Sequence, residues 1–325
     1  MITLSHITKT FRVAKRNPGL TGAVRSLFHR EYREVEALHE LSFQIARGEL
    51  VGCIGPNGAG KSTAIKIMSG ILVPDSGECT ICGCTPWKDR QHYVQNIGVV
   101  FGQRTQLWWD VPIRDSFELL RDIYRVEQTQ YERTFNRCVE TLELGNLLDT
   151  PLRQLSLGQR MRCELAGSLL HSPKLLFLDE PTIGLDAVSK RAVRSFIREI
   201  NEREGVTVIL TTHDTADLEA LTERILLLGK GKLLYDGSLS GLRDETDRTR
   251  TLTVRFGGTM APVVPQGCTL REWHEGSGVL EVGAAGVSAA IAALSASLPL
   301  TDVTVEGAPI DEVIARLYKH MDVRA

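Results

Sequence analysis

GPNGAGKST, residues 55–63, follows the apolar run LVGCI and precedes a segment that puts Ile65, Met68 and Leu72 on one helical face. The stretch fits G-x-x-x-x-G-K-[ST] in full, in the strand–loop–helix setting the pattern needs. Its glycines let backbone N–H groups turn inward around an anion, and the following helix offers that anion a partially positive end. Gly55, Pro56, Asn57, Gly58, Ala59 and Gly60 form the expected phosphate cradle, with Thr63 closing the motif. Lys61 adds a mobile charge for the β and γ oxygens of a bound triphosphate, and Ser62 a hydroxyl for Mg²⁺.

A phosphate loop alone does not name a reaction. KLLFLDE, residues 174–180, places Asp179 and Glu180 at the carboxyl end of a buried strand, the edge where open α/β sheets bind ligands. Mg²⁺ bridging phosphate oxygens needs a fixed carboxylate, and hydrolysis needs a second group to orient and deprotonate water. Asp179 is expected in the first role and Glu180 in the second. VTVILTTHD, residues 206–214, brings His213 to the same edge. There a neutral imidazole suits donation to the γ-phosphate or holding the water geometry with Glu180.

Working outward, apolar runs recur at residues 50–54, 97–101, 175–178, 206–210 and 225–228, with helical patterns at 62–72, 116–124, 131–142, 159–170 and 189–204. Continuous runs suit strands covered on both faces, so the alternation predicts an α/β domain with a largely parallel sheet. The block from about 104 to 171 holds several helices and no convincing strand, and reads as an inserted helical subdomain. At residues 236–250 the pattern breaks into Gly, Ser and mixed charge. It restarts as strand (251–256), strand (278–282), helix (287–298), strand (303–306) and helix (310–321). The expected domains are 1–240 and a small α+β module, 241–325.

Composition bounds the rest. The 325 residues carry 38 Lys plus Arg against 40 Asp plus Glu, and 42% are hydrophobic. That excludes disorder and removes the bulk attraction a dedicated nucleic-acid protein shows, so no nucleic-acid partner is expected. MITLSHITKTF alternates apolar and polar residues, unlike an export signal, and reads as a cytoplasmic strand. Seven cysteines, an odd number, argue against a disulfide framework. Cys79, Cys82 and Cys84 are spaced closely enough to share an ion, but with no second Cys or His cluster nearby a structural role is the better reading. The uncharged stretch 282–301 is near the length of a membrane span. It is rich in Ala, Gly and Ser, with Val287, Ile291, Leu294 and Leu298 on one helical stripe, so it reads as a surface helix.

With these motifs in place the sequence resembles the nucleotide-binding subunits of ATP-binding cassette (ABC) transporters. LSLGQRMRCELAGSLLHSP, residues 155–173, looks like the family's signature segment, directly upstream of LLFLDEPT. TIGLDAVS (182–189) looks like its D-loop, LTTHD (210–214) its switch histidine, and VVFGQ (99–103) its glutamine loop. All stand in the family's order, from about residue 4 to 237. The resemblance implies a P-loop NTPase cassette: a mixed, mostly parallel sheet, an antiparallel β part and the helical insertion.

Ser156 followed three residues later by Gln159 is a capping box, which should start a helix. The resemblance adds that Ser156 and Gly158, with Gln159, contact the γ-phosphate held by an opposite subunit, so that each ATP site is shared across a dimer. It also implies that Asp186 reports across that dimer and that Gln103 contacts Mg²⁺ or water while coupling to a partner. Leu157 departs from the commonest LSGGQ pattern and removes one glycine near the phosphate. Phe11 and Tyr32 compete as the aromatic face for adenine. Between them lies an apparent insertion, about 12–33, with Arg12, Lys15, Arg16, Arg25, Arg30 and Arg33 against Glu31, and Leu20, Val24 and Leu27 at helical spacing. It suits anionic lipid, a partner or plain solvation. Trp108, Trp109 and Phe117 follow the glutamine loop, where the family receives its membrane subunit; the alternative for both tryptophans is a core position.

The resemblance thus implies an ATP-binding and ATP-hydrolysing subunit with ATP and Mg²⁺ as ligands, pairing with itself or a close paralogue. It would sit peripherally at the inner face of the cell membrane and power a separate transmembrane permease. Export is favoured over import from the glutamine-loop and signature variants and the C-terminal APIDEVIARLY. The rival class is a non-transport ABC ATPase of translation or DNA repair.

Overall fold

In the computed structural model of the chain, residues 1–14, 32–102, 104–246, 249–258, 263–307 and 310–320 are described. The chain divides into two compact units, Met1–Gly237 and Ser238–Ala325. The first contains β1 (Ile2–Ala14), β2 (Tyr32–Ile45), β3 (Leu50–Ile54), α1 (Lys61–Met68), β4 (Ser76–Ile81), α2 (Arg90–Val94) and β5 (Ile97–Phe101). It continues through α3 (Ile113–Tyr124), α4 (Gln128–Thr141), α5 (Leu157–Leu169), β6 (Leu175–Asp179), α6 (Ala187–Glu204), β7 (Thr207–Thr211), α7 (Thr215–Leu221), β8 (Arg224–Gly229) and β9 (Lys232–Ser238).

The five apolar runs lie side by side in the order β5-β6-β7-β3-β8, all parallel, with β9 at the edge. Parallel strands need cover on both faces, and β6 shows how it is supplied. Leu176 and Leu178 face a core built with Phe117, Leu165, Phe196 and Ile197. Leu175 and Phe177 face the other core, with Ile65, Met68, Ile209 and the antiparallel sheet β2-β1-β4. Register then sets the site: Cys53 pairs with Thr211, and Thr211 with Asp179. The carboxyl ends of β3, β7 and β6 therefore finish at one level, although residues 53 and 179 are far apart in sequence. Cys53 and Cys79 lie buried in the second core, and burial pushes both thiols up to about 12. Among the described residues no group of His, Cys, Asp and Glu is arranged to hold a metal ion.

The helical block α3–α5 lies between β5 and β6 in the chain, and Phe117, fully buried, meets Phe135 edge-on at 6.1 Å. Trp108 and Trp109 stay 39% and 49% exposed, so the pair belongs to the surface rather than to that core. Contact between α5 and β5 depends on Gly98, where a Cβ would stand 2.5 Å from the Ser168 carbonyl oxygen. Gly98→Ala should therefore destabilise the first unit by about 1–3 kcal/mol. A urea midpoint equal to that of the wild type would contradict this packing.

His171, just beyond α5, donates from Nε2 to the Ile97 carbonyl at 2.9 Å and stacks on Tyr124 at 3.9 Å. Burial pushes its pKa down to about 4, and its buried Nδ1 has no partner. Below the unfolded-state value near 6.5 the unfolded chain takes up a proton that the folded chain refuses. The stabilisation is thus whole above about pH 6.5 and lost as pH falls through about 4, a swing of about 3 kcal/mol. His171→Gln should flatten the loss of stability between pH 7 and 5 measured by urea unfolding; an unchanged slope would rule the histidine out.

The second unit contains α8 (Leu239–Thr246), β10 (Thr249–Phe256), β11 (Cys268–His274), β12 (Ser277–Gly283), α9 (Val287–Ser297), β13 (Leu300–Gly307) and α10 (Ile310–His320). Its antiparallel sheet runs β11-β12-β10-β13. Leu252, Val254, Leu280 and Val282 pack beneath Ala290, Leu294 and Leu298. The uncharged stretch 282–301 is thus the end of β12, α9 and the start of β13. No helix among the described residues is long and apolar enough to cross a membrane. Two elements differ from the sequence reading. The expected break at 236–250 carries α8, which packs on α10 and buries Leu242, and β11 adds an edge strand. The helical spacing of Leu20, Val24 and Leu27 lies outside the described residues, as do positions 15–31 generally.

Candidate functional site

The phosphate loop leaves β3 and enters α1 through Gly60, whose φ of 103° only glycine adopts without strain. A Cβ there would also stand 2.6 Å from the Ala37 carbonyl oxygen. Lys61 is 7% exposed, and its ammonium donates to the carbonyls of Gly55 (2.6 Å) and Pro56 (3.2 Å). These carbonyls hold the charge over the loop. Asn57 and Gly58 are exposed at the tip, while Ala59 is buried, its N–H donating to Pro56 at 3.1 Å.

Ser62 Oγ donates to Asp179 Oδ1 at 3.4 Å. A hydroxyl beside a carboxylate is a set of hard oxygen donors, which fits Mg²⁺. Thr211, which the sequence reading did not single out, fixes both acids. Its hydroxyl donates to Asp179 Oδ1, and its carbonyl accepts from the Glu180 N–H at 3.0 Å. Glu180 has φ 55°, a left-handed value uncommon for a side-chain-bearing residue. That turn takes the chain out of β6 and brings Glu180 to the cleft. His213 Nδ1 lies 3.3 Å from Glu180 Oε1, and its side chain is 61% exposed. Behind them the fully buried Asp217 accepts from Arg194 Nε at 2.6 Å and from the hydroxyls of Thr182 and Thr212. It joins the loop after Glu180 to the loop carrying His213.

Ser62, Asp179 and Glu180 open on a cleft of about 340 Å³ that Asn57, Lys66 and Arg104 also line. Gln103 lies outside the described residues. Its neighbour Gly102 lines the cleft and donates from its N–H to the Asp179 carbonyl at 2.8 Å.

Ser156, Gly158, Gln159 and Asp186 form a second group. The capping box is complete: Ser156 Oγ accepts from the Gln159 N–H at 3.3 Å, and Gln159 Oε1 from the Ser156 N–H at 2.9 Å. Gly158 is buried against the start of α6, where a Cβ would stand 2.4 Å from Ser189 Oγ. Asp186 caps α6, accepting from the N–H of Ser189 (3.0 Å) and Val188 (2.9 Å) and from Ser189 Oγ (2.7 Å); those bonds hold its carboxyl below the usual carboxylate range. Leu157 is half-buried, its Cδ2 within 2.9 Å of where a Gly184 Cβ would stand. None of Ser156, Gly158 and Asp186 lines the cleft. Ser156, Gly158, Gln159 and Asp186 thus form a polar group apart from the residues that line the cleft.

Phe11 pairs with Val35 and Tyr32 with Ala14 across a regular stretch of the β1–β2 hairpin, so the two aromatics stand on opposite faces. Phe11 is half-buried with Lys9 5.8 Å over its ring, and Tyr32 is 57% exposed. Only one of them can serve a nucleotide on a given face.

The family model described as ABC transporter matches residues 38–183. The probable sulfate/thiosulfate import ATP-binding protein CysA of Chlorella vulgaris is 33% identical over 70% of this chain and 95% of its own length. The daunorubicin resistance ATP-binding protein DrrA3 of Streptomyces coeruleorubidus is 32% identical over 85% of this chain and 78% of its own. Among solved structures, the ATP-binding cassette MJ0796, a dimer in a post-hydrolysis state bound to ADP and Pi, superposes with a TM-score of 0.61 and 27% identity. That match covers 74% of this chain and 99% of the other.

Proposed function

Because the chain belongs to the ABC transporter ATP-binding family, we propose that it is the ATP-hydrolysing subunit of an exporter, working as a pair of copies beneath a separate membrane-spanning permease. The observation that carries the reading is that the two groups of residues do not share the cleft: Ser62, Asp179 and Glu180 line it, and Ser156, Gly158 and Asp186 do not. Two copies placed head to tail complete both sites at once.

In such a pair the loop N–H groups and Lys61 hold the β and γ phosphates of ATP, while Ser62 and Asp179 are the residues that would hold Mg²⁺. When bound, the ion neutralises charge developing on the transferred phosphoryl group. Glu180 takes the proton of the attacking water, His213 orients Glu180, and Thr211 keeps both carboxylates at the level of the loop. Ser156 and Gly158 of the second copy contact the γ-phosphate, Asp186 reports across the pair, and Gln103 senses the ion or the water. The partially positive amino-terminal end of α5 at Ser156 favours an anion.

One comparison favours export. The likeness to the daunorubicin resistance protein covers 85% of the chain, more than the Met1–Gly237 unit contains, so it reaches into the second unit. The likeness to the import protein covers 70%. The exposed Trp108 and Trp109 offer aromatic anchors for the permease. The whole assembly would then lie at the inner face of the cell membrane. Tagged protein recovered from detergent-extracted membranes should bring down a polytopic membrane protein; recovery with ribosomes or DNA instead would defeat the transport reading.

A further inference from the structure

Glu164 sits on α5 two turns beyond Ser156 and is 3% exposed. A carboxyl group is costly to bury unless hydrogen bonds surround it, and here every donor comes from the segment that follows Gln103. Thr105 Oγ1 donates to Oε1, the Gln106 N–H donates to Oε2 at 3.2 Å, and Gln106 Nε2 returns to the Glu164 main-chain carbonyl at 3.1 Å. The Leu107 N–H in turn donates to Thr105 Oγ1 at 3.0 Å. One turn further along α5, Gly167 leaves room for Leu107, whose Cδ2 would lie 3.1 Å from an added Cβ.

The fastening continues toward the amino end of the helix. The Arg160 guanidinium lies 5.9 Å from the Trp109 ring centroid, the Trp109 carbonyl accepts from the Arg153 N–H at 3.1 Å, and Arg153 pairs with Asp110 at 3.1 Å. The last pair is exposed and weak. The buried carboxyl is the firm point, because its loss would leave the Gln106 N–H without its acceptor.

We propose that Glu164 is a positioning residue that locks residues 105–107 onto α5, so that this segment, the exposed Trp108–Trp109 pair and the Ser156 end of α5 move as one body. Whatever presses on the tryptophans then moves Ser156, and closure around nucleotide moves the tryptophans. The inference rests on the reading of Ser156 and Gln103 as parts of the ATP site.

Glu164→Ala should lower kcat for ATP about tenfold or more, since misplacement by a residue remote from the chemistry costs up to about 100-fold. KM should stay within about twofold, because the phosphate loop is untouched. Glu164→Gln, whose amide oxygen still accepts from the Gln106 N–H, should keep at least about half the wild-type kcat. If Glu164→Ala does not fold, Thr105→Val removes the hydroxyl donor and should lower kcat in the same direction. Hydrogen exchange reads the lock without any turnover: the Gln106 amide should exchange faster in Glu164→Ala and stay protected in Glu164→Gln. Wild-type kcat in Glu164→Ala, a rise in KM alone, or equal damage from Ala and Gln would each overturn the proposal. A wild-type chain that fails to hydrolyse ATP while the exchange pattern holds would instead defeat the ATPase reading and leave the lock standing.

Discussion

Glu180→Gln is expected to bind ATP with close to wild-type affinity and to release phosphate about 10²- to 10⁴-fold more slowly, the range lost when a general base is removed. The substitution preserves shape. The residue keeps its φ of 55° and the N–H that donates to Thr211, and the amide can still meet His213. What disappears is the capacity to take a proton from water. Phosphate release and fluorescent-nucleotide binding, measured on the same preparation, separate the two effects. Unchanged turnover would remove Glu180 from the mechanism, and a matching loss of affinity would assign it to binding instead.

Lys61→Ala should act on the other side of that division. The ammonium is buried and held by the Gly55 and Pro56 carbonyls, so its loss removes a charged donor from both, with the Ala59 N–H still on Pro56, and leaves the phosphates without the charge. A hydrogen bond to a charged group is worth about 1.5–3 kcal/mol, which weakens ATP binding about 10- to 150-fold. Titration with a fluorescent ATP analogue reads this directly. A dissociation constant within about twofold of the wild type would show that the loop binds through its N–H groups alone.

The site was legible in sequence where its chemistry is local. Residues 55–63 carry loop, charge and hydroxyl within one turn of chain, and Ser156 with Gln159 specify a cap whose bonds span three residues. What holds the site together is not local. Thr211 reaches Asp179 across 32 positions, Asp217 reaches Thr182 across 35, and Glu164 reaches Thr105 across 59. A threonine before a histidine, or a glutamate on an otherwise apolar helix face, has no spacing that announces its partner; only strand register and helix docking supply it. The fold divides in the same way. Continuous apolar runs announced the parallel strands, whereas β11 is exposed along most of its length and α8 contains Gly241, so neither gave a periodic signal.

The pairing of copies is the claim on which the mechanism depends, and mass in solution tests it most directly. Glu180→Gln at saturating ATP and Mg²⁺, followed by size-exclusion chromatography with light scattering, should run at twice the mass of one chain and return to a single mass when nucleotide is removed. Adding Ser156→Arg should prevent the doubling. A single-chain mass at every ATP concentration, with wild-type turnover per molecule independent of dilution, would contradict a shared site.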